Sequence, residues 1–201
     1  RISGVVGVQQ VYIYTGAIAV ASQCGLSVIE AAESLSNHAP PPGRMRVLKG
    51  IKGTVIIDDT YNSSPAAAEQ ALETLKEIRL AKRKIAVLGD MLELGRFSAR
   101  EHERLGELVP QCADVLITIG VRARQIAETA LSHGLNEKFI LQYDNVLNAG
   151  RELQAYIQPG DVILVKASQG IRAEKIVEEI MQEPELASEL LVRQDVAWQK
   201  R

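Results

Sequence analysis

The sequence predicts an α/β protein built on a doubly wound, mostly parallel sheet with helices on both faces. Strand and helix patterns alternate about five times after residue 43, and each strand pattern is a short continuous apolar run. Continuous apolar strands are typical of a sheet that is covered on both faces. Regular alternation of strands and helices favours parallel pairing through helical crossovers.

Each of the five predicted strands is followed by a predicted helix. The strands are expected at 53–58, 84–90, 114–120, 138–143 and 159–166, and the helices at 65–81, 98–112, 123–134, 145–157 and 172–182. Pro65 suits the first turn of its helix, where no backbone N–H is needed. The tail, residues 189–201, has helical periodicity, and Trp198 is expected to dock it onto the domain or onto a partner.

Two helix patterns precede this alternating region. Residues 14–24 carry small and apolar side chains at helical spacing, and Gly25 follows in the position of a helix-ending glycine. A second helix is predicted after Ser27, because Glu30 three residues later completes a capping-box pattern.

Residues 39–43 predict a boundary, because three consecutive prolines and a glycine cannot continue a helix. We therefore expect residues 1–43 to be separate from a domain formed by residues 44–201. The same segment suits a hinge, since its prolines are stiff and Gly43 is free to rotate. Because the chain begins with Arg1 inside a Gly/Val stretch, we also expect it to be part of a longer polypeptide.

The composition argues against several classes of protein. The 201 residues carry a formal net charge of −2, whereas nucleic-acid-binding proteins usually present a basic face. No apolar run approaches the roughly 20 residues of a membrane span, and no secretory signal is visible. Cys24 and Cys112 lack metal-site spacing and are expected to be reduced core thiols of a cytoplasmic protein.

Three segments place polar side chains directly after predicted strands. They are DDTYNSSP (58–65), GDMLELG (89–95) and KASQGIRAEK (166–175). The carboxyl ends of parallel strands share one edge, where open α/β sheets bind ligands. A carboxylate there can accept the hydroxyls of a ribose, the N–H groups at a helix start attract anions, and a lysine can hold a carboxylate.

Each segment also has a simpler interpretation, which the spacing leaves open. The first can cap the next helix and leave its aspartates in solvent. The second can be a glycine-containing turn in which Asp90 and Glu93 are solvated rather than bound to an ammonium group or, through water, to magnesium. The third can be a capped turn with a solvated lysine. His102 lies within a helix pattern, where a structural role is the more common one.

Five motifs, taken in order, resemble the Mur ligase family. They are PPPGRM, IIDDTYNSSPAA, IAVLGDMLELG, His102 within a helix, and VLVKASQGIRAEKIVEEI. Their order and spacing match over about residues 5–182, so the resemblance is far more specific than one motif would be. The motifs DDTYN-x-x-P and LGDMLELG together resemble those of one member of this family, the ligase that adds D-alanyl-D-alanine to a UDP-N-acetylmuramoyl tripeptide.

This resemblance implies three domains, the last of them Rossmann-like. Residues 44–201 would be that last domain, and residues 1–43 would be the final helices of the central ATP-binding domain. The phosphate-binding pattern G-x-x-x-x-G-K-[ST] is absent from the chain. Truncation would explain the absence, and the chain alone would then be inactive.

The activity implied is an ATP-driven amide ligation through an acyl phosphate, in peptidoglycan precursor synthesis. The parent enzyme would be a cytoplasmic monomer acting on a UDP-muramoyl peptide and D-alanyl-D-alanine. Mg²⁺ would accompany ATP and be held mainly by the central domain.

The resemblance also implies a role for individual residues, none of them catalytic or metal-binding in this chain. ATP would be contacted by Gln10 near the adenine, Arg44 at the phosphates, Asp59 at the ribose, and Tyr61 and Asn62, which would line the nucleotide or the incoming dipeptide. The dipeptide-facing edge would comprise Asp90, Lys166, Ser168 and Arg172.

Two departures from the family pattern affect these roles. Where the family usually has KGSRG, this chain has KASQG, so that Gln169 replaces an arginine expected near the dipeptide carboxylate. Arg172 or Lys175 are the candidate substitutes. Gln10 stands in a QQ pair where the family usually has HN, which changes the reach of the amide by one methylene.

Two other functions remain open from the sequence. A sibling Mur ligase or a folylpolyglutamate-type synthetase would share the fold and the use of ATP. A non-catalytic Rossmann-like module would bind a nucleotide without chemistry.

Overall fold

A six-stranded sheet forms the centre of the molecule, in a computed structural model that describes residues 3–199. The strands are β1 (Arg46–Lys49), β2 (Val55–Asp59), β3 (Arg83–Gly89), β4 (Val115–Ile119), β5 (Ile140–Tyr143) and β6 (Asp161–Lys166). Their order across the sheet is β1-β2-β6-β3-β4-β5, and only the β1–β2 pair is antiparallel. The predicted fold class is therefore confirmed.

The described part of the chain also forms helices. They are α1 (Val8–Gln23), α2 (Val28–Ser34), α3 (Pro65–Glu77), α4 (Ser98–Cys112), α5 (Arg124–Ser132), α6 (Val146–Tyr156), α7 (Glu174–Ile180), α8 (Ala187–Leu190) and α9 (Val196–Gln199). One core lies under α3, α4 and α5, and the other under α6 and α7. The two-sided burial explains why the central strands read as continuous apolar runs.

The position of β6 is what brings the predicted ligand segments together. The chain forms β2, β3, β4 and β5 in turn, and α6 then returns it so that β6 inserts between β2 and β3. Because β2, β6 and β3 are parallel neighbours, all three end at the same edge of the sheet. We call this the carboxyl edge.

The five predicted strand–helix units are all present, but two elements differ from expectation. Strand β1 was not predicted, because it is only four residues long and begins and ends with a basic residue. The tail forms two short helices, α8 and α9, rather than one. Arg193 between them has a φ of 59°, a left-handed conformation that a continuous helix cannot contain.

The first part of the chain follows its predicted local chemistry. Ser27 caps α2, and its backbone N–H donates to the Glu30 carboxylate at 2.9 Å, which completes the capping box. Helix α1 begins at Val8, before the predicted start, and Gly25 follows it with a φ of 97°. Val5 bridges Arg46, so these residues extend the edge of the sheet beside β1.

The cysteine prediction is only half correct. Both thiols are free, and Cys112 is buried, which raises the pKa of its thiol to about 11. Cys24 is exposed, because it lies at the end of α1 rather than in the core. None of the helices between residues 3 and 199 is long and apolar enough to cross a lipid bilayer.

Candidate functional site at the carboxyl edge

The pair Asp59 and Lys166 lies at the centre of the carboxyl edge. The two residues are direct partners in the β2–β6 register, and Lys166 Nζ lies 2.5 Å from Asp59 Oδ2. Lys166 also donates to the Asn62 carbonyl oxygen at 3.0 Å, while Met45 N–H donates to Asp59 Oδ1 at 3.1 Å. The lysine side chain is 2% exposed and the carboxylate 9%, so the ion pair is largely desolvated.

Asp58 is a second buried carboxylate, and no cation within residues 3–199 pairs with it. Its oxygens accept from Gly43 N–H at 3.0 Å, from Thr60 N–H at 3.2 Å and from the Thr60 hydroxyl at 2.6 Å. Burial raises the pKa of Asp58 to about 6, although these donors act in the opposite direction. Asp58 therefore ties the Gly43 segment to the end of β2.

The simpler interpretations of the first and third segments are wrong. Asp58, Asp59 and Lys166 are all buried rather than solvated. Ser64 occupies the N-cap position of α3, but its side chain makes no capping hydrogen bond. The strand order buries these polar groups at the carboxyl edge, whereas a simple capped turn would leave them in solvent.

Asp90, at the end of β3, is also buried, so the solvated-turn interpretation of the second segment fails for this residue. Its carboxylate accepts from Ala123 N–H at 2.7 Å and lies 3.4 Å from the Arg122 guanidinium. Gly120 leaves the room for it, since a Cβ there would come within 2.5 Å of Asp90 Oδ1. Asp90 thus holds the turn between β4 and α5. Glu93, in contrast, is exposed.

Ser168 connects all three segments. Its hydroxyl accepts from Leu92 N–H at 2.8 Å and donates to the Ser63 carbonyl at 3.4 Å. Its own N–H donates to the Asp90 carbonyl at 3.1 Å. These bonds fix the three strand ends relative to one another.

His102 has the structural role that the sequence favoured. It is fully buried in α4, and its Nε2 accepts from Met91 N–H at 3.0 Å while Nδ1 donates to the Ser98 carbonyl at 2.7 Å. The imidazole therefore supports the turn after β3.

A cavity of about 380 Å³ opens above the Asp59–Lys166 pair. Its polar lining includes Gln9, Gln10 and Arg44 besides the ion pair. The predicted nucleotide residues Gln10, Arg44 and Asp59 are therefore brought together, and Lys166, predicted for the other substrate, joins them. Gln9 Oε1 is buried and has no hydrogen-bond partner within residues 3–199.

A second cavity, of about 570 Å³, lies on the other side of Arg44. The Arg44 guanidinium stacks 4.0 Å from the centre of the half-exposed Tyr61 ring, and both side chains line this cavity. Its lining also includes Gln169 and four tail residues, Val192, Arg193, Asp195 and Trp198. Arg44 therefore lines both cavities.

Three further residues of the sequence prediction lie outside the linings of these two cavities. Arg172 has a φ of 64°, and its guanidinium donates to Glu174 at 2.5 Å and to the Trp198 carbonyl at 2.7 Å. Lys175 lines a separate depression with Leu147 and Gln154. Asn62 is exposed, and its side chain accepts from Ser63 N–H at 2.9 Å.

Sequence reasoning missed Gln9, the pairing of Asp59 with Lys166, and the contact of the tail with the site. Gln9 left a signal as the first half of the QQ pair, and Trp198 predicted that the tail docks onto the domain or onto a partner, without placing it at the site. No group of three or more His, Cys, Asp or Glu side chains that could hold a metal ion occurs in the described part of the chain.

The comparison with protein families matches residues 43–169 to the model described as "Mur ligase, glutamate ligase domain". Among curated proteins, the chain is 31% identical over 181 residues to the UDP-N-acetylmuramoyl-tripeptide–D-alanyl-D-alanine ligase of Bacillus subtilis strain 168. That match covers 90% of this chain and 39% of the relative. The enzyme of the same name from Mycobacterium tuberculosis H37Rv is 36% identical over 188 residues, covering 82% and 36%.

Solved structures give the same result. The MurF ligase of Thermotoga maritima, in complex with ADP, matches with a TM-score of 0.72 and 30% identity over 92% of this chain and 40% of that one. MurF of Acinetobacter baumannii matches with a TM-score of 0.74 and 27% identity, covering 85% and 37%. The chain thus spans less than half the length of these relatives.

Proposed function

Since this chain belongs to the Mur ligase family, we propose that it is the C-terminal part of a UDP-N-acetylmuramoyl-tripeptide–D-alanyl-D-alanine ligase. The observation that carries this proposal is the carboxyl edge, where Arg44, Asp59 and Lys166 surround one open cavity. The names of the relatives support the choice of this ligase over its siblings.

The proposed reaction has two steps. A carboxylate oxygen of the tripeptide attacks the γ-phosphorus of ATP, and ADP leaves with the bridging oxygen and its electrons. The amine of D-alanyl-D-alanine then attacks the carbonyl carbon of the acyl phosphate, loses a proton and displaces inorganic phosphate. Both steps depend on positioning and on cations near the transferred phosphoryl group.

The lining of the first cavity fits a nucleotide. Arg44 is an exposed cation beside it, and the unpartnered Gln9 Oε1 is an acceptor for a donor such as an exocyclic amine. We assign Arg44 to the phosphates, Gln10 to the base and Asp59 to the ribose, the last by sharing an oxygen that now accepts from Lys166. Tyr61 and Asn62 line the nucleotide or the dipeptide beside them.

The remaining assignments concern the acceptor side and the rest of the enzyme. Asp90, Ser168 and Arg172 shape the dipeptide-facing margin through the turns that they hold. Residues 1–43 belong to a central ATP-binding domain, which also holds Mg²⁺, and residues 44–201 form the last domain. The enzyme is proposed to be a cytoplasmic monomer, and the 201-residue chain alone is expected not to hydrolyse ATP.

The test uses the full-length polypeptide with ATP, a UDP-muramoyl tripeptide and either D-alanyl-D-alanine or single amino acids. Ligation with the dipeptide supports the proposal. Ligation only with a single amino acid would identify a sibling ligase, and ATP binding without any product would identify a non-catalytic module.

The Arg44→Gln variant tests the site itself. Its side chain is exposed and stacks on Tyr61, so we expect little loss of stability but a loss of kcat/KM for ATP of about a hundredfold, or about 3 kcal/mol. Arg96→Gln is the matched control, because Arg96 is another exposed arginine, stacked 4.9 Å from the Phe97 ring. Equal kinetics in the two variants would refute the phosphate assignment.

A further inference from the structure

The last part of the chain crosses the carboxyl edge as a tail strap, which we define as residues 191–198. Val192 lies against Gly43, where an added Cβ would come within 2.9 Å of the valine Cγ1. The next residue, Arg193, donates to the carbonyl oxygens of Thr60 and Tyr61. The strap therefore contacts both the proline–glycine segment and the segment that follows β2.

Arg193 is the centre of these contacts. Its side chain is only 6% exposed, and its Nη2 lies 2.7 Å from Glu174 Oε2, on a carboxylate that is fully buried at the start of α7. Its Nη1 donates to the Tyr61 carbonyl at 3.0 Å. One planar guanidinium thus joins acceptors from two elements, a geometry that a lysine ammonium cannot reproduce in full.

A second arginine, Arg172, also contacts the strap. The Arg172 guanidinium lies 5.3 Å from the centre of the Trp198 ring and shares Glu174 with Arg193. Removing Arg193 alone therefore leaves Glu174 with a cationic partner. A variant at Arg193 should therefore fold, because the buried Glu174 carboxylate keeps its ion pair with Arg172.

The Thr60 and Tyr61 carbonyls, which accept from Arg193, lie in the chain between Asp59 and Asn62. Asp59, which precedes Thr60, lines the first cavity, and the carbonyl of Asn62, which follows Tyr61, accepts from Lys166. The Tyr61 ring itself supports Arg44. Arg193 itself lines the second cavity, but its Nη1 and Nη2 donors are used by protein acceptors, so it acts on the first cavity through its neighbours.

We propose that Arg193 is a positioning residue for nucleotide binding, which fixes the Thr60–Asn62 backbone and thereby the Arg44–Tyr61 pair. This inference rests on the proposed function, since the nucleotide is assigned to the cavity that these residues line. An ordered segment binds its ligand without the entropic cost of ordering it. Loss of the guanidinium should therefore weaken binding more than it slows the chemical step.

Kinetics of the full-length polypeptide test this split. We expect Arg193→Gln to raise the KM for ATP about tenfold while kcat changes less than about threefold, and Arg193→Lys to recover part of the KM. Both variants keep the same left-handed backbone position, so the difference between them reports the cation. Arg83→Gln is the control, because it removes an arginine–carboxylate pair from the opposite edge of the sheet and should leave the KM unchanged.

Amide hydrogen exchange gives a second readout that needs no ligase activity. Exchange of the segment around Thr60–Ser63 should be faster in Arg193→Gln than in the parent protein and in Arg83→Gln. Unchanged exchange, or equal KM values in all three proteins, would overturn the inference. If the parent protein ligates no acceptor at all, the proposed function fails, while the exchange result still decides whether Arg193 orders the segment.

Discussion

Strand β6 carries an ion pair at each end, and the two pairs differ in what surrounds them. At the carboxyl edge Lys166 pairs with Asp59 of β2, and at the opposite edge Asp161 pairs with Arg83 of β3, at 2.6 Å. In both cases the partners face each other in the strand register. The Arg83 guanidinium also lies 4.9 Å from the centre of the Tyr156 ring, whereas Lys166 and Asp59 line the first cavity.

The Arg83–Asp161 pair therefore has a structural role, whereas the Asp59–Lys166 pair lines a cavity that a ligand can enter. Arg83 keeps 23% of its side chain in solvent, and Asp161 has a further donor in Gln158 N–H at 2.8 Å. Lys166 is 2% exposed, and its other acceptor is the carbonyl of Asn62. At the opposite edge the carboxylate is buried and only the arginine is partly hydrated, whereas at the carboxyl edge both partners are largely desolvated beside a cavity.

The largest effect is expected from Lys166→Met, which leaves the Asp59 carboxylate buried without its cation. We expect the free energy of unfolding to fall by about 3–5 kcal/mol, measured by urea denaturation of the 201-residue chain. The double variant Lys166→Met with Asp59→Leu should lie closer to the parent protein than the single variant does. A loss below about 1 kcal/mol in the single variant would mean that the pair behaves as a solvated one.

Asp58→Asn should have the next largest effect, which is read from the pH dependence of stability. Because burial raises the pKa of Asp58 from 3.8 to about 6, the folded state holds this proton more tightly than the unfolded state. The contribution of this group to stability is present below about pH 4 and is lost as the pH rises through about 6. Asparagine does not titrate, so the free energy of unfolding of the parent protein should fall relative to that of the variant by about 3 kcal/mol across this interval.

Unfolding curves of both proteins at a series of pH values provide the measurement. The absolute stability of the variant is not informative, because its amide N–H₂ group would meet the Gly43 N–H donor. The quantity compared is therefore the slope of the free energy of unfolding against pH in the two proteins. Parallel curves would show that Asp58 does not carry a raised pKa.

The smallest effect is expected from Arg83→Gln, at the opposite edge. Asp161 is itself 1% exposed, but Gln158 N–H still donates to it, Arg83 is partly hydrated, and a glutamine amide at position 83 can donate to the carboxylate in place of the guanidinium, so we expect a loss of about 1 kcal/mol in the free energy of unfolding. The same urea measurement applies, and added salt should reduce the difference from the parent protein. A loss as large as that of Lys166→Met would remove the contrast between the two edges.

The sequence predicted the sheet well because each central strand carries its own signal. Runs such as residues 85–89 are apolar without interruption, and the glycines and proline that bound the helices act locally. Strand β1 escaped prediction because its pairing depends on the neighbouring β2 rather than on its own four residues. Local patterns therefore recover elements whose burial is complete.

The site was predicted as a set of strand ends, and the structure adds how those ends contact one another. Asp59 and Lys166 are 107 positions apart, and they meet only because β6 inserts beside β2. Arg193 reaches Thr60 from 133 positions away through a left-handed residue that helical periodicity conceals. Such contacts follow from topology and chain reversal, which no local pattern encodes.

The bridge between Val5 and Arg46 has a consequence for any hinge at residues 39–43. Gly4 accepts from Val47 N–H at 2.9 Å, so the chain before the prolines occupies the outer side of β1. Rotation of residues 1–43 away from the sheet would break this pairing and uncover the unsatisfied backbone groups of an edge strand. Exposed edges of this kind add strands from other molecules, so an opened form of the protein would be the one prone to self-association.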